Sequence, residues 1–319
     1  MPITLGLAGD TMLGRGVADR LGEAPPESLF APEVVSAARE ADLFLLNLEC
    51  CISQRGSPWP DPAKPFFFRA PPVAVEVLQG LGVDCVTLAN NHALDFGEEA
   101  LVDTLDHLSA AGIAAVGAGR DERLSRAPTI LTSDGFRLAV VAVTDHPSDF
   151  AAGPDRPGAA FADLRRGVPR WVTETIRGVD ADAVLVTPHW GPNMTPEPVP
   201  HVRTAASAMI EAGATLVAGH SAHVFHGVEG PVLFDLGDFL DDYAVDPVLR
   251  NDLGLLFLVT LDAEGPIRLQ AIPLRLDYCH TRLATGDDAA WVRGRFREGC
   301  AKLGTEVAED QGRLVTTWG

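Results

Sequence analysis

The segment GHSAHVFHGVE, residues 219–229, carries His220, His223 and His226 within seven positions, directly behind the apolar run ATLVAG. Imidazole is both a metal ligand and the side chain that exchanges protons near neutral pH. What such a cluster can do depends on which other groups reach the same place. Other short apolar runs of the chain end in a similar way. One stops at Asp10, one at Glu49, one at Asn91 and His92, one at His189 followed by Trp190, and one at Asp238. Taken singly, a polar residue after an apolar run also reads as a helix cap or a turn former, Asp10 before TMLG and Asn91 in particular. Six runs ending in carboxylate, amide or imidazole point instead to one shared pocket.

Such a pocket needs strands to deliver these ends to one edge. Near-continuous apolar runs at 3–9, 42–48, 84–90, 137–143, 182–188, 214–220 and 231–237 read as strands buried on both faces. Helical patterns separate several of them: 97–112 places Leu101, Leu105 and Leu108 on one stripe and ends at Gly112, and 199–213 also ends in glycine. Alternating strands and helices predict an α/β fold, in which ligands sit beyond the carboxyl ends of the strands. Residues 254–276 read as two strands around a turn, which adds antiparallel character, and 287–304 as a closing amphipathic helix. The expected organisation is a single domain over 1–319, with the closing helix and tail from about 285. Two Pro- and Gly-rich stretches, 53–72 and 147–169, read as long surface loops of the kind that serve as lids or binding elements. Trp59, Phe66, Phe67 and Phe68 in the first of them either grip an apolar group or tuck into the core.

The net charge of −19, with no cluster of basic and aromatic residues, argues against nucleic acid as a partner. No run approaches the length of a membrane span, and the amino terminus lacks the basic start of a secretory signal. Five cysteines without metal-knuckle spacing suit a reducing compartment, so a cytoplasmic protein is expected.

The ordered motifs GDTMLGR, NLE, LANNHALDFG, PHWG, GHSAHVFHGVE and LFDLGDF together resemble the CapA-type proteins of the calcineurin-like metallophosphoesterase superfamily. The resemblance spans roughly residues 3 to 260. It implies a four-layer α/β/β/α sandwich of mixed sheets. It also implies a site in which Asp10, Glu49, Asn91, His189, His220 and His223 hold one or two divalent ions (Mn, Fe or Zn), with carboxylate, amide and imidazole donors suited to them. Asp95 is placed to orient the His92 ring, and Arg15 to clamp a carboxylate or phosphate. Trp190 and Asp238 join the pocket as supporting residues. Met12 stands where the superfamily has a histidine, and Ser221 and Ala222 lengthen the terminal histidine motif. Both departures weaken the case for a complete two-metal centre.

Two chemistries follow. The leading expectation is a peptide-tailoring enzyme of CapA type that epimerises a peptide Cα with a side-chain acid/base pair, Asp10 with His92 or His220, and no cofactor. The alternative is metal-dependent hydrolysis of a phosphoester or amide; a role connected with poly-γ-glutamate is a further one. The expected partner is a peptide substrate, with neither nucleic acid nor membrane. The oligomeric state is not written in the sequence, and His226 reads as a structural or rim histidine.

Overall fold

The computed structural model describes residues 2–318. Two mixed sheets form its middle. In the first, Ile3–Thr11, Leu43–Leu48, Cys85–Thr87 and Ala114–Val116 run parallel. Leu253–Asp262 pairs antiparallel with Ile3–Thr11 and turns back into Gly265–Asp277, the predicted hairpin. In the second sheet Phe136–Thr144, Ala183–His189, Leu216–Ala218 and Val232–Leu233 run parallel. Thr129–Ser133 and Val228–Glu229 close its edges antiparallel.

The strands are apolar throughout because both faces are covered. Leu5, Leu7, Leu43 and Leu45 of the first sheet meet Leu138, Val140, Leu185 and Leu216 of the second in one shared core. The intervening Phe44, Leu46 and Leu48 pack outward on Val17, Leu78 and Leu101 of the helices behind them. On the far side Val141, Val184 and Val186 pack on Val172, Val202 and Met209. Side chains alternate along a strand, so each sheet serves two cores at once. The result is the α/β/β/α sandwich, with helices Gly97–Ala110 and Pro200–Glu211 near their predicted places. Gly286–Lys302 forms the closing helix.

The runs at 214–220 and 231–237 give much shorter strands than their apolar length suggests, because the chain leaves the second sheet early. Asp235 accepts the N–H groups of Ala222 and Gly237, which ties the two departing segments together. The second segment then crosses to the first sheet, where Asp238–Leu240 pairs in parallel with Ile3–Thr11 and sets Asp10 opposite Asp238. Gly9 makes this crossing possible. A Cβ there would lie 1.8 Å from the Gly237 carbonyl oxygen, which accepts the Asp10 N–H.

Loop 53–72 is pinned at its ends by the short parallel pair Cys51–Ile52 and Arg69–Ala70. All five cysteines are free and buried. Among the described residues no helix is long and apolar enough to cross a membrane.

Candidate metal centre

Parallel strands of both sheets point their carboxyl ends at one place. The first sheet brings Asp10, Glu49 and the 90–92 turn, with Asp238 beside Asp10; the second brings His189 and His220. Asp10 lies inside its strand, and the helix that follows starts after Gly14 without a side-chain cap, so capping is not its role.

Asp10 is the hub. Its Oδ1 accepts the Asn47 amide at 2.7 Å and lies 3.7 Å from His220 Nδ1. Its Oδ2 lies 3.3 Å from His223 Nδ1, which sits 2.8 Å from Asp238 Oδ1. His189 Nδ1 and His220 Nδ1 face each other at 2.8 Å, and Thr187 Oγ1 contacts the other nitrogen of His220 at 3.1 Å. Two groups of donors result, Asp10 with His189 and His220, and Asp10 with His223 and Asp238. In each, the ligand atoms lie within 4.8 Å of one another. Asp10 belongs to both.

Buried polar atoms normally have partners. Here Asp10 Oδ2, Glu49 Oε1, Asn91 Oδ1 and Asp238 Oδ2 are buried without a hydrogen bond. Burial pushes the Asp10 carboxyl up, against the pull of His223 and Asn47; it pushes Glu49 well up, with the Asp10 charge adding to the rise. Asp238 is likewise raised well above the ordinary range by burial and by Asp241. Burial lowers His220 to about 3, and burial with His220 as neighbour holds His189 well down. His223 is the exception: burial opposes its charge, but Glu49 and Asp10 carry it above its ordinary value. Neutral imidazoles beside carboxylates that resist standing alone are the donor set a divalent cation satisfies. Hard oxygens with imidazole nitrogens suit Mn, Fe or Zn. The residues fit such an ion, and a cofactor-free site leaves the unpartnered oxygens unexplained.

His92 flanks the centre. Its Nδ1 is bound to Asp95 at 2.6 Å and its Nε2 lies 3.9 Å from Glu49 Oε1. Phe68 stacks on the ring at 4.0 Å between centroids. Lys64 reaches in from the 53–72 loop to Asp95 at 2.9 Å and to the Asn91 carbonyl at 2.7 Å. Burial lowers His92 to about 4. Beside it opens a cavity of about 340 Å³, lined by Arg15, Phe66, Phe68, His92, His223 and Tyr243 among others. Arg15, Met194, Ser221 and His223 all adopt left-handed backbone. For non-glycine residues that costs on the order of 1–3 kcal/mol each and tends to gather at functional sites.

Residues 4–243 match the family model for bacterial capsule synthesis protein PGA_cap. The chain belongs to this family. A relative from Mycobacterium tuberculosis, described as a probable polyglutamine synthesis accessory protein, is 33% identical over 294 residues, covering 86% of this chain and 76% of its own. The PGA biosynthesis protein CapA of Bacillus subtilis is 30% identical over 248 residues, covering 75% of this chain and 63% of its own. Among solved structures, a hypothetical protein from Thermus thermophilus superposes with a TM-score of 0.51 at 16% identity, over 86% of this chain and 99% of that one. That likeness concerns the fold alone.

Within this PGA_cap chain, Asp10, His189, His220, His223 and Asp238 converge, Glu49 and His92 with its Asp95 partner flank them, and Asn91 meets Lys64 through its carbonyl beside His92. Trp190 does not join them. It is buried in the outer core and donates its indole N–H to the Phe234 carbonyl at 2.8 Å, because it follows the inward-facing His189 and so points to the opposite face. Trp59 and Phe68 are tucked in, whereas Phe66 stays exposed at the cavity. His226 is structural: buried, with Nε2 donating to the Thr195 carbonyl at 2.8 Å.

Sequence reasoning missed Asn47, Lys64 and Asp235; it placed Asp145 and His146 at the pocket rim without a role, and the structure makes them a second His–Asp pair. The His146 ring lies 5.2 Å from that of His189, and the far oxygen of Asp145 receives the Gly191 N–H and contacts His201. The position of Asp145 and His146 after the 137–143 run was the available signal.

Proposed function

We propose that this PGA_cap protein is a metal-dependent hydrolase that cleaves an amide or phosphoester bond. One observation carries the reading: two three-residue donor groups share Asp10, and buried oxygens of Asp10, Asp238 and neighbouring Glu49 lack partners. Asp10, His189, His220, His223 and Asp238 would hold the ion or ions, with Glu49 and Asn91 lending their free oxygens. A divalent ion bound there lowers the pKa of water and polarises the scissile group.

The remaining steps belong to the side chains. Asn47 fixes one oxygen of Asp10, so that the other faces the donor group. Asp95 holds His92 by Nδ1 and leaves Nε2 of the neutral ring facing Glu49 beside the cavity, in place to accept a hydrogen bond from the attacking water. Phe68 covers the face of that ring and keeps water from it.

Epimerisation at a peptide Cα is the weaker reading. It needs one group to take a proton and another to return one on opposite faces of the substrate, and Asp10, its first member, is the residue that both donor groups share. It also gives the unpartnered oxygens no role, and the relatives lend it no support. The capsule-polymer names of the relatives favour a γ-glutamyl amide as the first bond to test. The experiment is hydrolysis of γ-glutamyl p-nitroanilide and bis(p-nitrophenyl) phosphate by protein stripped with chelator and reloaded with Mn²⁺, Zn²⁺ or Fe²⁺. Metal-dependent release of chromophore that Asp10→Asn abolishes is the expected outcome. Release that ignores chelator and the Asp10 substitution would sink the proposal.

A further inference from the structure

The cavity beside His92 and His223 has a chemical character of its own. Its wall is a shelf of three rings, Phe66, Phe68 and Tyr243, extended by Met194 and Ala244. Over that shelf lies the guanidinium of Arg15, 5.3, 5.5 and 5.9 Å from the three ring centroids, within cation–π range of each. Among the lining residues Arg15 is the one Lys or Arg. Its single polar contact among the described residues is Nη2 to Asp242 Oδ1 at 3.1 Å, and the other Asp242 oxygen accepts the Gly16 N–H. The Nε and Nη1 donors have no protein partner among those residues. Asp242 is buried and Arg15 is about one-third exposed, so one side of the guanidinium is anchored in the protein and the rest is open. The left-handed backbone at Arg15, φ +50°, places it there at a conformational cost that the neighbouring contacts must sustain.

A guanidinium covered on its faces and free at its edges recognises a planar oxyanion, and an aromatic shelf recognises an apolar arm. We propose that this cavity is a specificity site for a substrate that presents one carboxylate at the end of a short apolar arm, with Arg15 binding the carboxylate and Phe66, Phe68 and Tyr243 holding the arm. This deepens the hydrolase reading by naming the substrate class, but the binding it describes does not depend on turnover. One Lys or Arg lining the cavity, in a chain of net charge −19, suits one anionic group rather than a polyanion bound along its length.

The test uses full-length protein kept in chelator, so that no metal can anchor the anion, and two probes of one shape, 4-phenylbutyrate and 4-phenylbutyramide. Affinities are read by calorimetry or by chemical-shift titration. The wild type is expected to bind the carboxylate about tenfold or more tighter than the amide, the scale of a hydrogen-bonded ion pair. Arg15→Met, which keeps the bulk, should erase that preference and leave amide binding in place. Phe66→Ala, at an exposed ring, should weaken both probes alike, and Asp242→Asn should strengthen the carboxylate. Equal affinity for the two probes in the wild type, or a preference that survives Arg15→Met, overturns the proposal. Failure of every chromogenic substrate with this preference intact would count against the hydrolase reading alone.

Discussion

The ion pair beneath the 53–72 loop offers a quantitative check on how rigidly His92 is held. Lys64 is 12% exposed and Asp95 wholly buried, with 2.9 Å between them. Lys64→Met would leave the near oxygen of Asp95 and the Asn91 carbonyl without their cation. Breaking a buried pair by removing one partner costs about 3–5 kcal/mol. The residual exposure of Lys64 places the expected loss at the lower end, about 3 kcal/mol. With a urea m-value of about 3 kcal/mol/M, the unfolding midpoint falls by about 1 M. Adding Asp95→Asn removes the stranded charge, and the double variant should recover at least half of the loss. Proton NMR in chelator supplies a second readout. His92 is held near 4 chiefly by burial, and the Lys64 charge lowers it further, so its titration should move upward in Lys64→Met. A cost below about 1 kcal/mol, the range of solvent-screened pairs, would refute the reasoning.

Three further outcomes are expected. Asp10→Asn should weaken Mn²⁺ binding by more than about 100-fold in calorimetry, because both donor groups share Asp10, while the circular dichroism spectrum stays native. Gly9→Ala drives a Cβ into the Gly237 carbonyl and should cost solubility or lower the melting temperature by roughly 10 °C or more, whereas Gly22→Ala, with nothing within 4 Å, should be neutral or slightly stabilising. His226 is held at about 4 by burial, below its ordinary 6.5, so the unfolded chain takes up the proton first as pH falls. Its contribution is therefore complete above pH 6.5 and declines by about 3 kcal/mol toward pH 4. Urea denaturation across that range should show the wild type losing this much relative to His226→Gln, and parallel curves would contradict it.

The sandwich was legible because its strands are buried on both faces, which turns each into an unbroken apolar run with its chemistry collected at the end. Asp10, Glu49, His92, His189, His220 and Asp238 each stand at such a run end, and the structure brings them to one edge. Asp235 and Lys64 were not singled out, because their meaning lies in partners that no local period announces, and Asp145 with His146 could be placed at the rim but given no role. Trp190 shows the opposite error: it borrowed significance from His189, although strand alternation alone turns it to the outer core. The short strands at Leu216–Ala218 and Val232–Leu233 escaped notice because the carboxylate that pulls the chain away, Asp235, sits in the middle of an apolar run.

The most direct measurement is the metal content of protein purified without added metal, by plasma mass spectrometry, followed by Mn²⁺ titration of the chelator-stripped chain. Near-stoichiometric Mn, Fe or Zn, lost on stripping and regained on titration, is the expected result. Protein that carries essentially no metal and takes up no Mn²⁺ would contradict a metal centre on Asp10.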